Sequence, residues 1–372
     1  MALNVKTKTI TLNTLFVSHF CKKNCSCTVL HQQPSLRLLN FVKMGHQLKT
    51  GLKIGTHDGS FHCDEVLACV FLKLLYPDAE VVRSRDPEIL SQCDIVVDVG
   101  GVFDHEAKRY DHHQASFDLT MKQLSEGKIN SDVLVSSAGL IYWYYRRQIF
   151  QSLLPTDPEG RTYSDRQMQT AFEYLYNSLV REIDFVDNGG GQTTWIIQTS
   201  ISARVSRLRP LWDDPNQDTD EAFLKALVMV KNELMGYIPR LHSHLAGREA
   251  LKIVILERFK HHLSGSVIWF KNGKSCDWTV NLYFSSREVG VDCRSIFYVV
   301  NEFDDLTNKV TLTCTKSCPP NKKFPVDWRG LLDDDLERAS GIKGLLFVHK
   351  NGLFASGKNK DAILKVIDRI LN

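Results

Sequence analysis

A chain of 372 residues, 43% apolar and 24% charged, has room for two domains and the balance of an ordinary globular protein. No uninterrupted apolar run approaches the roughly 20 residues that a bilayer crossing needs, which argues against a membrane-spanning helix. The net charge of +3 hides an asymmetry: residues 1–57 hold eight Lys or Arg and no acid, which leaves 58–372 at −5 and gives the body no general electrostatic attraction for nucleic acid.

The acid-free, hydroxyl-rich segment 1–50 is predicted to be a leader for import into the mitochondrial matrix, with Leu12, Leu15, Phe16 and Phe20 available for an apolar helix face. A disordered basic tail is the alternative. Met44 offers a second start, which would leave a form without the leader. A metal-binding catalytic domain is expected over 51–190. It opens with a strand at 52–56, a helix at 64–75, and strands at 79–82 and 94–99, the last two rich in β-branched residues like buried parallel strands. Helices are expected at 137–154 and 165–187. Strand–helix–strand alternation with short connections implies an α/β fold, a doubly wound and mostly parallel sheet. Beyond Gly189-Gly190-Gly191, a helical connector is expected over 191–250, with helices at 201–208 and 221–245. A smaller α+β C-terminal domain, 251–372, is predicted to bind substrate. Its expected strands are 253–256, 266–270, 279–284, 296–300 and 310–314, then a hairpin 345–349/353–356 across Lys350-Asn351-Gly352, and a last helix at 360–371.

The ten cysteines form no disulfide framework: Cys63, Cys69 and Cys93 sit in core-like surroundings. Cys314 and Cys318 have zinc-like spacing but lack a partner pair.

Three ligand-rich segments stand at the ends of expected strands: Thr56-His57-Asp58-Gly59-Ser60-Phe61-His62-Cys63-Asp64-Glu65, then Val97-Asp98-Val99-Gly100-Gly101, then Tyr110-Asp111-His112-His113-Gln114. Strand ends converge at one edge of such a sheet. Imidazoles mixed with carboxylates suit a hard divalent metal such as manganese. A two-metal hydrolytic site needs several ligands, one of them shared, and an open position for water. His57, His62, Asp64, Asp98 and His112 are the candidates, with Asp184 and Asp187, three apart at a helix end and so on one face. Each has a plainer reading taken alone: Asp64 as a helix N-cap, His57 as a core histidine, Asp98 and Asp187 as turn residues, His112 as a loop histidine.

The order of these motifs resembles the DHH phosphoesterase superfamily, which includes RecJ-type exonucleases and manganese pyrophosphatases. More closely, with Arg83-Ser84-Arg85-Asp86-Pro87, Ser136-Ser137-Ala138-Gly139-Leu140-Ile141-Tyr142, Asp184-Phe185-Val186-Asp187-Asn188-Gly189, Ser202-Ala203-Arg204-Val205 and Trp328-Arg329-Gly330-Leu331, the chain resembles the melanocyte proliferating gene (MYG) family over about 52–372. The resemblance implies a metal-dependent 3′→5′ exonuclease acting on single-stranded RNA in mitochondria and in the nucleus or nucleolus, with a DHH-type catalytic domain. It implies two Mn2+ (or Mg2+) held by His57, Asp64, Asp98, His112 and one of Asp184 and Asp187, with His62 as a further ligand and Asp98 as the bridge. His113, beside Asp111, is then free to contact the scissile phosphate or protonate the leaving oxygen. Lys343, His349, Lys358 and Arg204 are the expected contacts to the strand. Cleavage of short oligonucleotides or cyclic dinucleotides, and RNA binding around a purely structural metal, are the competing readings.

Overall fold

The computed structural model describes residues 51–190, 197–271, 275–303 and 309–372; the predicted leader at 1–50 lies outside the described residues. The fold is mixed α/β with two five-stranded sheets. In the first, β1 (Lys53–Thr56), β2 (Glu80–Arg83), β3 (Ile95–Val97), β4 (Phe103–Asp104) and β5 (Arg109–Tyr110) lie in the order β2-β1-β3-β5-β4. All neighbours run parallel except the edge pair β4/β5. The helix Cys63–Leu75 joins β1 to β2. Ten consecutive residues of it, 63–72, are buried, because it packs on the sheet and also receives the helices Ser137–Tyr144 and Thr219–Leu256.

The second sheet holds β6 (Val267–Phe270), β7 (Tyr298–Glu302), β8 (Val310–Cys314), β9 (Leu345–Val348) and β10 (Phe354–Gly357) in the order β6-β7-β8-β10-β9. Only β6/β7 is parallel; the other pairs are antiparallel. The closing helix Lys360–Leu371 lays Ile363, Val366, Ile367 and Ile370 on a core with Trp269, Val300 and Leu312.

Four expected elements need correction. The segments 253–256 and 279–284, read as strands, are helical: the first ends the 38-residue helix Thr219–Leu256 and the second lies within Trp278–Glu288. Their β-branched and aromatic residues suggested strands, but the buried positions Leu251 and Ile255, and Asn281, Leu282, Ser285 and Ser286, recur with helical spacing because these two helices pack on each other. The expected helix 137–154 is interrupted at Tyr145, whose ring packs on Tyr110. The expected helix 165–187 runs as Asp165–Leu175 and Arg181–Asp187 joined by a π-helical turn, Tyr176–Val180. Such a turn rotates the next stretch of helix away from the direction a regular helix would give it, and here that stretch carries Asp184 and Asp187.

Candidate metal centre

β1, β3 and β5 are adjacent and parallel, so their C-terminal ends deliver His57, Asp98 and Asp111-His112-His113 to one edge. Asp98 has φ +58, a left-handed backbone that Asp tolerates better than most residues, and after Val99 both Gly100 and Gly101 have positive φ. The reversal turns the chain sharply at the strand end and leaves the Asp98 carboxylate in the cluster. Arg83 braces the neighbouring loop: its guanidinium donates to the His57 carbonyl at 3.2 Å and the Gly59 carbonyl at 2.6 Å, and pairs with Asp220.

His57 Nε2 lies 3.1 Å from Glu65 Oε1 and 3.4 Å from Asp98 Oδ2. His112 Nε2 lies 2.9 Å from Asp187 Oδ2, 3.3 Å from Asp98 Oδ1 and 3.9 Å from Asp64 Oδ2. Each imidazole nitrogen is shared among two or three carboxylates rather than held in one isolated pair. Both oxygens of fully buried Asp64, and His112 Nε2, lack an aligned hydrogen-bond partner. An uncompensated buried carboxylate is costly. Around a cation with donors at about 2.1 Å in octahedral array, adjacent donors are about 3.0 Å apart and opposite ones about 4.2 Å. The separations around His112 fall in that range. Among the described residues, three groups have donor atoms that all lie within 4.8 Å of one another: His57, His62, Glu65 and Asp98; Asp98, His112 and His113; His62, Asp64 and Asp187. The donor set therefore fits a hard or borderline divalent metal. Asp98 and His62 each belong to two of these groups, and of the two only Asp98 is a carboxylate.

The electrostatics agree. Burial opposes charge on His57, but hydrogen bonds to Asp98 and Glu65 outweigh it and raise its pKa to about 10. His112 is raised to about 10 against its own burial by Asp187 and Asp98. Burial, with Asp98 and Asp187 nearby, pushes Asp64 well above the carboxylate range. Asp98, despite burial, is held well below that range by His112 and His57. The cluster is short of positive charge, and a metal would supply it.

Of the predicted ligands, His57, His62, Asp64, Asp98, His112 and Asp187 are brought together. Asp64 is not the N-cap of its helix; His62 is, and Glu65 three residues on accepts the His62 N–H at 2.8 Å. Asp184 stands apart from the three donor groups. It is fully buried, and its Oδ1 accepts from the Ser136 N–H at 3.0 Å and the Ser136 hydroxyl at 2.8 Å. Burial raises its pKa to about 7 against those bonds. Glu65 is the residue that sequence reasoning left without a role; the capping-box spacing from His62 was its available signal. Ser137 was missed too: its hydroxyl lies 3.2 Å from Asp98 Oδ1 and 2.8 Å from the Tyr110 carbonyl.

His113 is 61% exposed at its side chain, beside the buried cluster. Its Nδ1 is 2.8 Å from Asp111 Oδ1, and Asp111 Oδ2 accepts the Gly101 N–H at 2.6 Å. A proton on Nδ1 makes the first of these a donated bond and leaves Nε2 free.

The expected strand contacts do not form one patch. Lys343 and Lys358 share one end of the β9/β10 hairpin, where the Lys358 N–H donates to the Gly344 carbonyl at 2.8 Å. His349 sits at the other end of β9, about 13 Å of strand away. Arg204, on the helix Ile201–Ser206, is ion-paired with Glu233 at 2.9 Å.

Residues 53–371 match the sequence profile of MYG1_exonuc, described as an uncharacterised protein family (UPF0160). The chain is 39% identical over 326 residues to "MYG1 exonuclease" of Homo sapiens, covering 84% of each chain. It is 34% identical over 331 residues to "MYG1 protein C27H6.8" of Caenorhabditis elegans, covering 86% of this chain and 94% of that one.

Proposed function

This chain belongs to the MYG1 family, and on that premise we propose that it is a metal-dependent nuclease, a 3′→5′ exonuclease that trims single-stranded RNA. The observation that carries the reading is the convergence of His57, Asp64, Asp98, His112 and Asp187 in one buried cluster where Asp64 has no hydrogen-bond partner. We also place the catalytic half in the DHH phosphoesterase superfamily, on the order of its motifs along the chain.

His57, Asp64, Asp98, His112 and Asp187 would hold two Mn2+ or Mg2+ ions, with His62 and Glu65 as further donors. When bound, such ions polarise a phosphoryl oxygen and lower the pKa of water to supply a nucleophile near neutral pH. The chain itself supplies orientation and a proton. Asp111 fixes the His113 ring through Nδ1, which leaves Nε2 free of that contact. An imidazolium there would donate to a phosphate oxygen in the ground state and pass its Nε2 proton to the leaving 3′ oxygen as the P–O bond breaks. Asp111 is a positioning residue: its second oxygen is anchored on the Gly101 N–H and keeps the ring from swinging. Ser137 steadies the Asp98 carboxylate. The acid-free leader supports import into mitochondria, and a start at Met44 would supply a nuclear pool.

The test is to incubate the purified chain with end-labelled single-stranded RNA, with and without manganese. Mononucleotides released from the 3′ end only with metal are expected. Metal-independent cleavage, or none on any single strand, would overturn the reading.

A further inference from the structure

A hollow of about 1020 Å3 lies beside the metal centre, at the upper end of the size range of small-molecule sites. One wall is Ser60, in the loop between the ligand candidates His57 and His62; the others are the end of the helix Ile201–Ser206 and the turn after it. Among the described residues the lining holds two arginines, Arg207 and Arg209, and no acid. Arg209 donates to Ser60 Oγ at 3.0 Å and to Ser206 Oγ at 2.5 Å, and its Nε is buried without a partner. Arg207 donates to the Gln198 carbonyl with one arm. Trp212 is 93% exposed on a turn that Gln217 holds, through hydrogen bonds to the Leu211 carbonyl at 2.7 Å and the Asp214 carbonyl at 2.6 Å. The acids of this segment, Asp213, Asp214, Asp218 and Asp220, do not line the hollow. Asp218 caps the next helix and Asp220 pairs with Arg83.

An indole left in water on a stapled turn, beside two guanidiniums of which Arg207 keeps an uncommitted arm, matches how proteins hold single strands without reading sequence: a cation on the phosphate and a ring under the base. We propose that this hollow seats a nucleotide of the single-stranded substrate next to the metal centre, with its phosphate on Arg207 and Arg209 and its base on Trp212. The proposal rests on the hydrolytic reading for its substrate class and adds where the strand is held. It places the strand on the connector rather than on the hairpin that carries Lys343 and Lys358. The shared chemistry is phosphate plus base, so RNA and DNA are separate arms of the test.

The test is fluorescence anisotropy of labelled ten-nucleotide oligoadenylates, ribo and deoxy, with the full chain in EDTA so that nothing is cut. Wild type is expected to bind at least one sugar form. Trp212→Ala should raise its Kd about ten-fold, and Trp212→Tyr should restore most of the loss. Arg207→Ala should flatten the slope of log K against log salt by about 0.7, one phosphate contact to a single strand. Arg209 is left alone because it also braces Ser60. With manganese, Trp212→Ala should raise KM for the oligonucleotide more than it lowers kcat. No binding by wild type, or a Kd for Trp212→Ala equal to wild type, overturns the seat. Binding that depends on Trp212 without any manganese-dependent cleavage keeps the seat and overturns the hydrolytic reading instead. Cleavage with an unchanged KM in Trp212→Ala does the reverse.

Discussion

Gly139→Ala probes the link between the buried acid and the metal centre. Gly139 lies inside the helix Ser137–Tyr144, where Ala is ordinarily preferred to Gly by about 1 kcal/mol. Here a Cβ would sit 2.5 Å from Asp184 Oδ1 and 2.7 Å from Oδ2, about 0.9 Å inside ordinary contact. Asp184 has nowhere to retreat cheaply, because Ser136 holds its Oδ1 with two hydrogen bonds. Overpacking of this kind costs about 1–3 kcal/mol, and weakening two buried hydrogen bonds adds about 1–2 kcal/mol. After the helix-propensity gain, the net destabilisation is about 1–4 kcal/mol, or about 2–8 °C in Tm at roughly 2 °C per kcal/mol for a body of this size. The site should feel it as well. The strained helix begins with Ser137, which touches Asp98, and Asp187 lies one turn beyond Asp184 with its carboxylate 2.9 Å from His112. The assay is thermal melting with and without manganese, set against Gly236→Ala. Gly236 is also in a helix, but its added Cβ meets nothing within 4 Å, so that variant should melt at or above wild type. If Gly139→Ala melts like Gly236→Ala and binds manganese normally, the reasoning is wrong.

Asp98→Asn should lose at least ten-fold in manganese affinity and nearly all hydrolysis while melting near metal-free wild type, since Asn also accepts the left-handed backbone at φ +58; metal content by mass spectrometry and a melting curve check both halves. Manganese binding at pH 8 should release protons, because His57 and His112 carry pKa values near 10 in the metal-free cluster and must be neutral to ligate; affinity should therefore rise with pH towards 10, and binding heats that do not depend on the buffer's ionisation enthalpy would contradict it. Asp184, raised to about 7 when folded from 3.8, binds its proton more tightly in the folded state, so its contribution is fully present below about pH 3.8 and is lost as pH rises through 7. That span is up to about 4 kcal/mol of pH-dependent stability, and Asp184→Asn should flatten the Tm profile between pH 4 and 7.

Much of this molecule is written in short-range signals. β-branched runs before His57 and Asp98, and helical spacing after Asp64, are local properties of the chain, so the parallel order at the site edge could be anticipated from them. The grouping of His57, Asp64, Asp98 and His112 came with it, because residues at the C-terminal ends of adjacent parallel strands have little choice but to meet. Other features depended on partners distant in sequence. The stretch 279–284 has strand-like composition, and only its packing against the helix Thr219–Leu256 makes it helical. Asp184 and Asp187 are indistinguishable by spacing, since both lie on one helical face. Ser136 reaches one and His112 the other, across 48 and 75 residues, and the π-helical turn before them alters the direction in which that face points. Glu65 reads as a capping residue in sequence, and it gains a second role only because His57, arriving from β1, ends 3.1 Å away. Local periodicity determined which elements form and which ligand-bearing segments reach the site; the choice among equivalent carboxylates belonged to tertiary structure, because it depends on atoms meeting in space from strands and helices that the chain joins far apart.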